Sequence, residues 1–146
     1  MFSWQAVGQH QYYLQDDLLV VKVHGALELA DAQWLLTTLH SLVQCYGYSL
    51  LLADVRHGVS IPPHVRKWIG QWHKTHSATD GSAVVVGAGR LARTLLTMIN
   101  SAVRLLGLPT GDLVFVKGDA EGWAMLAERR KRWQERNRTK AKDPLK

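Results

Sequence analysis

The chain has 146 residues, 47% of them hydrophobic and 21% charged, a composition that fits one globular domain and excludes a disordered or collagen-like chain. A single cysteine, Cys45, excludes a disulfide framework and a thiolate zinc cluster. Eighteen Lys and Arg against twelve Asp and Glu give a net charge of +6, and the excess is local: residues 1–127 hold nine of each sign, whereas residues 128–146 hold nine basic and three acidic residues. That split argues against a basic folded surface. It places the candidate polyanion contact, to nucleic acid or an acidic lipid headgroup, on the C-terminal stretch, where a solvated helix end would carry the same charge. No apolar run reaches the ~18–20 residues of a membrane span, and residues 1–5 lack the basic and apolar regions of a secretory leader. The expectation is a soluble, cytoplasmic α/β domain.

In chain order, residues 10–14 predict a short strand, Gln15-Asp16-Asp17 a turn, and residues 18–23 a β-branched apolar strand, together an antiparallel hairpin. From 28 to about 45 the period changes: Ala32, Leu35, Leu36, Leu39, Leu42 and Val43 fall on one helical face, and Gly47 stops the helix. Cys45, late in that helix, reads as a small hydrophobe. Residues 50–55 form a continuous apolar run, the signature of a parallel strand buried on both faces. A loop from Arg56 leads to Pro62-Pro63, which opens a second helix with Val65, Trp68, Ile69 and Trp72 inward. Residues 83–86 predict another buried strand, 90–106 a helix ended by Gly107-Leu108-Pro109, and 113–116 the last strand. Asp119 caps a final helix whose inward face is Trp123, Leu126, Ala127 and Arg130.

Candidate chemistry is sparse. Gly87-Ala88-Gly89-Arg90-Leu91-Ala92 fits the GxGxxA dinucleotide pattern between a strand and a helix, with Asp119 beyond the next strand as a ribose-binding acid. It begins too late in the chain for a complete dinucleotide fold, so no cofactor is expected, and a nucleotide-binding protein is the distant alternative. Gly87, Gly89 and Arg90 remain a candidate anion site. Seven histidines, at 10, 24, 40, 57, 64, 73 and 76, include two pairs of interest, His73 with His76 and His57 with His64, yet no supporting carboxylate or thiolate stands at ligand spacing, and no metal site is assigned. There is no GxSxG elbow, and no catalytic residue is assigned. Asp54 ends the central strand, the end at which open α/β sheets bind ligands.

Residues 20–32, an apolar strand ending at Gly25 and a leucine-containing link into a helix near Ala30 and Ala32, resemble the opening of STAS domains, the anti-sigma-factor antagonist family. Residues 50–55, closing on Asp54, look like that family's central strand. The resemblance spans residues 10–130 and is nearest to the small bacterial STAS-like branch grouped with the lipid-binding CRAL-TRIO fold. It implies a non-enzymatic regulatory or protein-interaction module with a protein partner, or a carrier of a small apolar ligand or lipid. It also implies a switch loop after the central strand: Asp54, Arg56 and Ser60 are the candidates, with Arg66 as a second cation for a phosphorylated Ser60, although the Asp-Ser-Ser-Gly pattern of the family is absent. The expected architecture is a single STAS-like α/β domain over residues 1–136. It comprises about five mostly parallel strands with an antiparallel edge strand and about four helices, followed by a basic, disordered tail over 137–146.

Overall fold

A computed structural model describes residues 3–76, 80–105 and 112–142. Strands β1 (Gln5–Val7), β2 (His10–Gln15) and β3 (Leu18–Lys22) form an antiparallel meander that turns at Gly8 and Asp16, both at positive φ. The chain then runs through β4 (Gly25–Ala26), α1 (Leu29–Tyr46), β5 (Ser49–Asp54), β6 (Val59–Ser60), α2 (Pro63–Thr75), β7 (Gly81–Val86), α3 (Arg90–Leu105), β8 (Asp112–Val116) and α4 (Asp119–Lys142). The main sheet has the order β1-β2-β3-β5-β7-β8, parallel from β3 onward, and β4 and β6 form a two-stranded parallel ribbon beside it. The expected α/β order is therefore present, with six strands in the main sheet. The extra strand is β1, whose Gln-Ala-Val, exposed at its first two residues, has no apolar run to announce it.

The strand order decides where the helices go. From β3 to β8 each parallel strand is added on the same side of the last, so crossovers of one hand put α1, α2 and α3 on one face. Side-chain packing agrees: Leu19, Val21, Leu51, Ala53 and Val85 meet α1 and α3, and α2 packs on those helices through Val65 and Ile69. The opposite face, with Leu18, Val20, Leu50, Leu52, Val84, Val86 and Val116, is left to α4 alone. Alternation along each strand supplies both faces, which is why β3, β5 and β7 read as unbroken apolar runs.

The inward face of α4 differs from the expected one. Gly122 and Leu126 are buried and Trp133 packs beneath them, whereas Trp123 and Ala127 are exposed. The helical phase is set by a residue without a side chain: a Cβ on Gly122 would lie 3.2 Å from Leu52 and from Val86, so glycine lets the helix close on the sheet. Nor does the helix stop at 136. It continues through residues 137–142, where disorder was expected, and Asn137 Nδ2 donates to the Tyr46 carbonyl at 2.7 Å. The basic residues are also not idle. Arg130 grips Asp17 with Nε and Nη2 at 2.8–3.2 Å, Arg129 meets Asp112 at 2.7 Å and Arg136 meets Asp80 at 3.3 Å. The three carboxylates stand at or just before the starts of β3, β8 and β7, so α4 runs back along the sheet and ties itself to its N-terminal rim. Tyr48 OH donates to Asp17 at 2.6 Å, and burial together with that carboxylate pushes the phenol up to about 12.

Leu126 is 1% exposed at the centre of this face. Leu126→Ala is expected to lower stability by ~2–5 kcal/mol, read from urea unfolding, whereas Trp123→Ala on the outer side should stay within ~0.5 kcal/mol. Equal losses would show that α4 packs in the other phase.

Candidate functional site

Two places concentrate polar or unfilled space. The first is the rim at the C-terminal ends of the parallel strands. Asp54 ends β5, and its backbone carbonyl accepts from Val23 N at 2.9 Å, which holds the strand end in place. Its carboxylate is 10% exposed and accepts from Arg56 N and Nε, both at 3.0 Å, and from Nη2 at 2.8 Å. Arg56 Nη2 reaches on to Asp119 at 3.0 and 3.2 Å, in the first turn of α4. One guanidinium thus joins the central strand to the last helix. These bonds hold the Asp54 carboxyl below its ordinary range against the opposing effect of burial.

The sequence candidates fall unevenly around this rim. Asp54 and Arg56 are in direct contact, and Asp119 joins them as an Arg56 partner, its carboxylate tied to that guanidinium. Gly87 lies at φ +74, and a side chain there would collide with the Arg56 methylenes. Its glycine is therefore required by a turn packed under Arg56, with no ligand needed to explain it. A pyrophosphate at that turn would also meet two carboxylates sharing one guanidinium. Gly89 has open space around it, and Arg90 is exposed at the start of α3. Ser60 is exposed in β6, where its carbonyl accepts from Leu27 N at 2.8 Å. It does not cap α2: the N-cap is Pro62, with no side-chain cap bond. Beside the rim, His57 stacks on His24 with centroids 5.0 Å apart. His64 lies exposed at the start of α2, and Cys45 is exposed rather than buried, on the outer side of α1. The Gly107-Leu108-Pro109 helix stop lies outside the described residues.

The second place is a cavity of about 280 Å³, partly open to solvent, between the sheet and the layer of α1, α2 and α3. Small side chains make the room. Ala53 and Ala83 sit on this face of β5 and β7, on directly paired strands. Most of the lining is aliphatic, from Leu35, Leu39, Val85, Leu96 and their neighbours. The space opens to solvent, so water can enter it, and its apolar lining makes it a candidate ligand site.

Two polar clusters line it. At one end His10, 1% exposed, accepts His24 N at Nδ1 (3.0 Å), so its proton is on Nε2, which faces the Ala26 carbonyl at 3.1 Å and Asp31 at 3.3 Å. Asp31 also accepts Glu28 N at 2.9 Å. Every member is satisfied, and the group fastens β2 to the start of α1. At the α1–α2 contact, Trp72 stacks on His76 (4.2 Å) and meets His73 (5.1 Å), while His40 packs edge-on against Trp72 and His76. Burial lowers the His73 pKa. His40 Nδ1 is buried with no hydrogen-bond partner among the described residues. Sequence reading placed Trp72 in the core and gave His40 no role; the unpaired nitrogen follows from helix packing, which leaves no motif.

No family model matches the chain, and no curated protein matches it by sequence. Among solved structures it is similar in fold to the anti-sigma factor antagonist SpoIIAA in its unphosphorylated form. The match has a TM-score of 0.45 and 7% identity over 83% of this chain and 92% of that one. The likeness transfers no residue role. Among the described residues no helix is long and apolar enough to cross a membrane.

Two outcomes test the rim. Gly87→Ala is expected to destabilise by more than ~1 kcal/mol because of its φ and its contact with Arg56, while Gly89→Ala stays near neutral; the reverse order in thermal melts would return the turn to a ligand-binding role. The Asp54 pKa is lower in the folded state than its unfolded value of ~3.9. Its contribution is therefore full above that value and is lost as pH falls through the lowered one. Asp54→Asn should flatten acid unfolding below pH ~4, followed by circular dichroism; an acid limb parallel to wild type would remove the Arg56 clamp from the account.

Proposed function

We propose that the chain is a non-enzymatic, STAS-like regulatory module that binds a protein partner in the cytoplasm through the C-terminal rim of its sheet. The observation that carries this reading is α3, which leaves that rim with Leu91 87% exposed and Met98, one heptad on, 58% exposed. Leu91 and Met98 stand two turns apart on the outward side of α3, away from Leu96 and Ile99, and are the anchors this reading assigns to the partner. Arg90 adjoins Leu91 in sequence, and Ser60 and the Asp54–Arg56–Asp119 cluster lie at the same end of the sheet, so they supply the polar groups of this proposed interface.

The test is capture of partners from the source cell on the immobilised protein, followed by affinity measurements on what is recovered. Leu91→Asp and Ser60→Asp are expected to weaken binding at least ~10-fold, as a charge placed in an interface does, and Trp123→Ala, on the outer side of α4, should leave it unchanged. Wild-type affinity in both rim variants, with loss in the α4 variant, would move the interface to the other face.

A second reading, a carrier of a small apolar ligand, is favoured by a separate observation, the cavity between the sheet and α1–α3. Its size suits a ligand near the lower end of the ~300–1,000 Å³ range of small-molecule sites.

A further inference from the structure

We infer that the partner assigned to the rim presents an acidic segment that lies along the outer face of α2 and α3, with its carboxylates on Lys67, Lys74, Arg90 and Arg93 and its apolar side chains on Leu91 and Met98. The inference rests on the partner reading and adds the chemistry of the partner to it.

Three observations converge. The first is where the charge falls. The neutral sum over residues 1–127 hides a polarised domain: residues 1–54 hold five acidic residues and one lysine, residues 112–127 hold three and one, and residues 55–111 hold seven basic residues against one acidic, Asp80. Helices α2 and α3 contain no Asp or Glu. The second is that the cations of these two helices are unspent. Arg56 is taken by Asp54 and Asp119, and Asp80 is taken by Arg136 of α4. Lys67, Lys74, Arg90 and Arg93 are exposed, and none of them pairs with a carboxylate among the described residues. Lys67 and Lys74 stand one heptad apart on the side of α2 opposite its buried Val65 and Ile69. The third is the apolar stripe beside them. Leu95 packs into the cluster around Val65 and Ile69 of α2, and Leu91 and Met98, one helical turn to either side of it, continue that stripe into solvent. An apolar line with unpaired cations on both helices is matched by a segment that sets carboxylates around apolar anchors.

Other anions fit this face less well. Between Leu91 and Met98 the exposed residues of α3 are Arg93, Thr94 and Thr97, so the helix lacks the continuous apolar face with which a helix lies in a bilayer surface. Nucleic acid would engage the cations through its phosphates and leave Leu91 and Met98 in water.

The experiment is a fluorescence-anisotropy titration of the full chain into a labelled copolymer of glutamate and tyrosine. Poly-glutamate serves as the acid without apolar groups, and phosphatidylcholine vesicles containing phosphatidylglycerol serve as the anionic surface. The copolymer should bind saturably, more tightly than poly-glutamate, and more weakly as salt rises. Lys67→Glu combined with Arg90→Glu should weaken the copolymer at least ~10-fold, as like charges set against each other across an interface do. Leu91→Ser should bring the copolymer down to the level of poly-glutamate, whose own binding stays unchanged. Lys140→Ser combined with Lys142→Ser, at the basic end of α4, should change neither. Thermal melts establish that each variant is folded. Wild-type affinity in the charge-reversed variant, or a loss confined to the α4 variant, would overturn the inference. Binding to the vesicles without binding to the copolymer would give the face to a membrane and overturn it as well. No saturable binding of the copolymer by the folded wild type would overturn the acidic partner alone, because the partner reading is decided separately by capture and by Leu91→Asp.

Discussion

The monotonic strand order from β3 to β8 commits three crossover helices to one face and leaves the other to whatever follows β8. Everything on that second face therefore depends on how firmly α4 is held. It is fastened at both ends by carboxylates. Asp119 in its first turn shares Arg56 with Asp54, and Arg129 and Arg130 at its middle and Arg136 beyond them reach Asp112, Asp17 and Asp80 on the opposite rim. Exposed pairs of this kind contribute little one at a time. The Asp17 site is different in kind, since its carboxylate is 7% exposed and receives both a two-nitrogen guanidinium grip and the Tyr48 hydroxyl. Between the two rims the attachment is apolar, through Leu126 and the close approach at Gly122. The basic excess that dominates the composition thus serves partly as a fastening. At least three of its nine cations are spent on the body of the domain, which leaves less for a polyanion.

The two sides of the sheet are consequently unlike. Under α4, large residues such as Leu18, Leu50, Leu52 and Trp133 fill the space. Under α1–α3, Ala53 and Ala83 on adjacent strands lower the floor, and α2 rides on α1 and α3, so the layer spans a gap it does not fill. A natural interior is packed nearly as densely as an organic crystal. The looseness is confined to this one layer, where Ala53 and Ala83 leave space beneath the helices.

The parts legible in the sequence are those set by local pattern. The central strands announced themselves as apolar runs between glycines, α1 by its heptad of leucines and its glycine stop, and α2 by paired prolines. What escaped was set by distance. The phase of α4 could not be read because the large residue, Trp123, points out and the residue that matters, Gly122, has no side chain. A signal was nevertheless present: Arg129, Arg130, Trp133, Arg136 and Asn137 recur at helical spacing, and three aspartates, 17, 80 and 112, stand at or just before strand starts. The glycine motif at 87–89 was legible as a turn, but its cause was not, because the group that crowds Gly87 is Arg56, thirty-one positions earlier. The cavity was invisible for the same reason: two alanines thirty positions apart share one face only after β5 and β7 pair in parallel.

The cavity and the rim are not independent places. Helices α2 and α3 line the first through Ile69, Trp72, Leu96 and Ile99, and they start at the second, after Ser60 and at Arg90 and Leu91. Under the two proposed readings, a cavity ligand would touch the same two helices that a partner at the rim would meet. Linkage then fixes the relation between them: whatever factor a cavity ligand imposes on partner affinity, the partner imposes on ligand affinity in turn. The α4 face has no share in this, because its helix is locked to both rims and its core is filled. Helices α2 and α3 thus border both the rim and the cavity, while α4 is fastened to the other face of the sheet and stands apart from both.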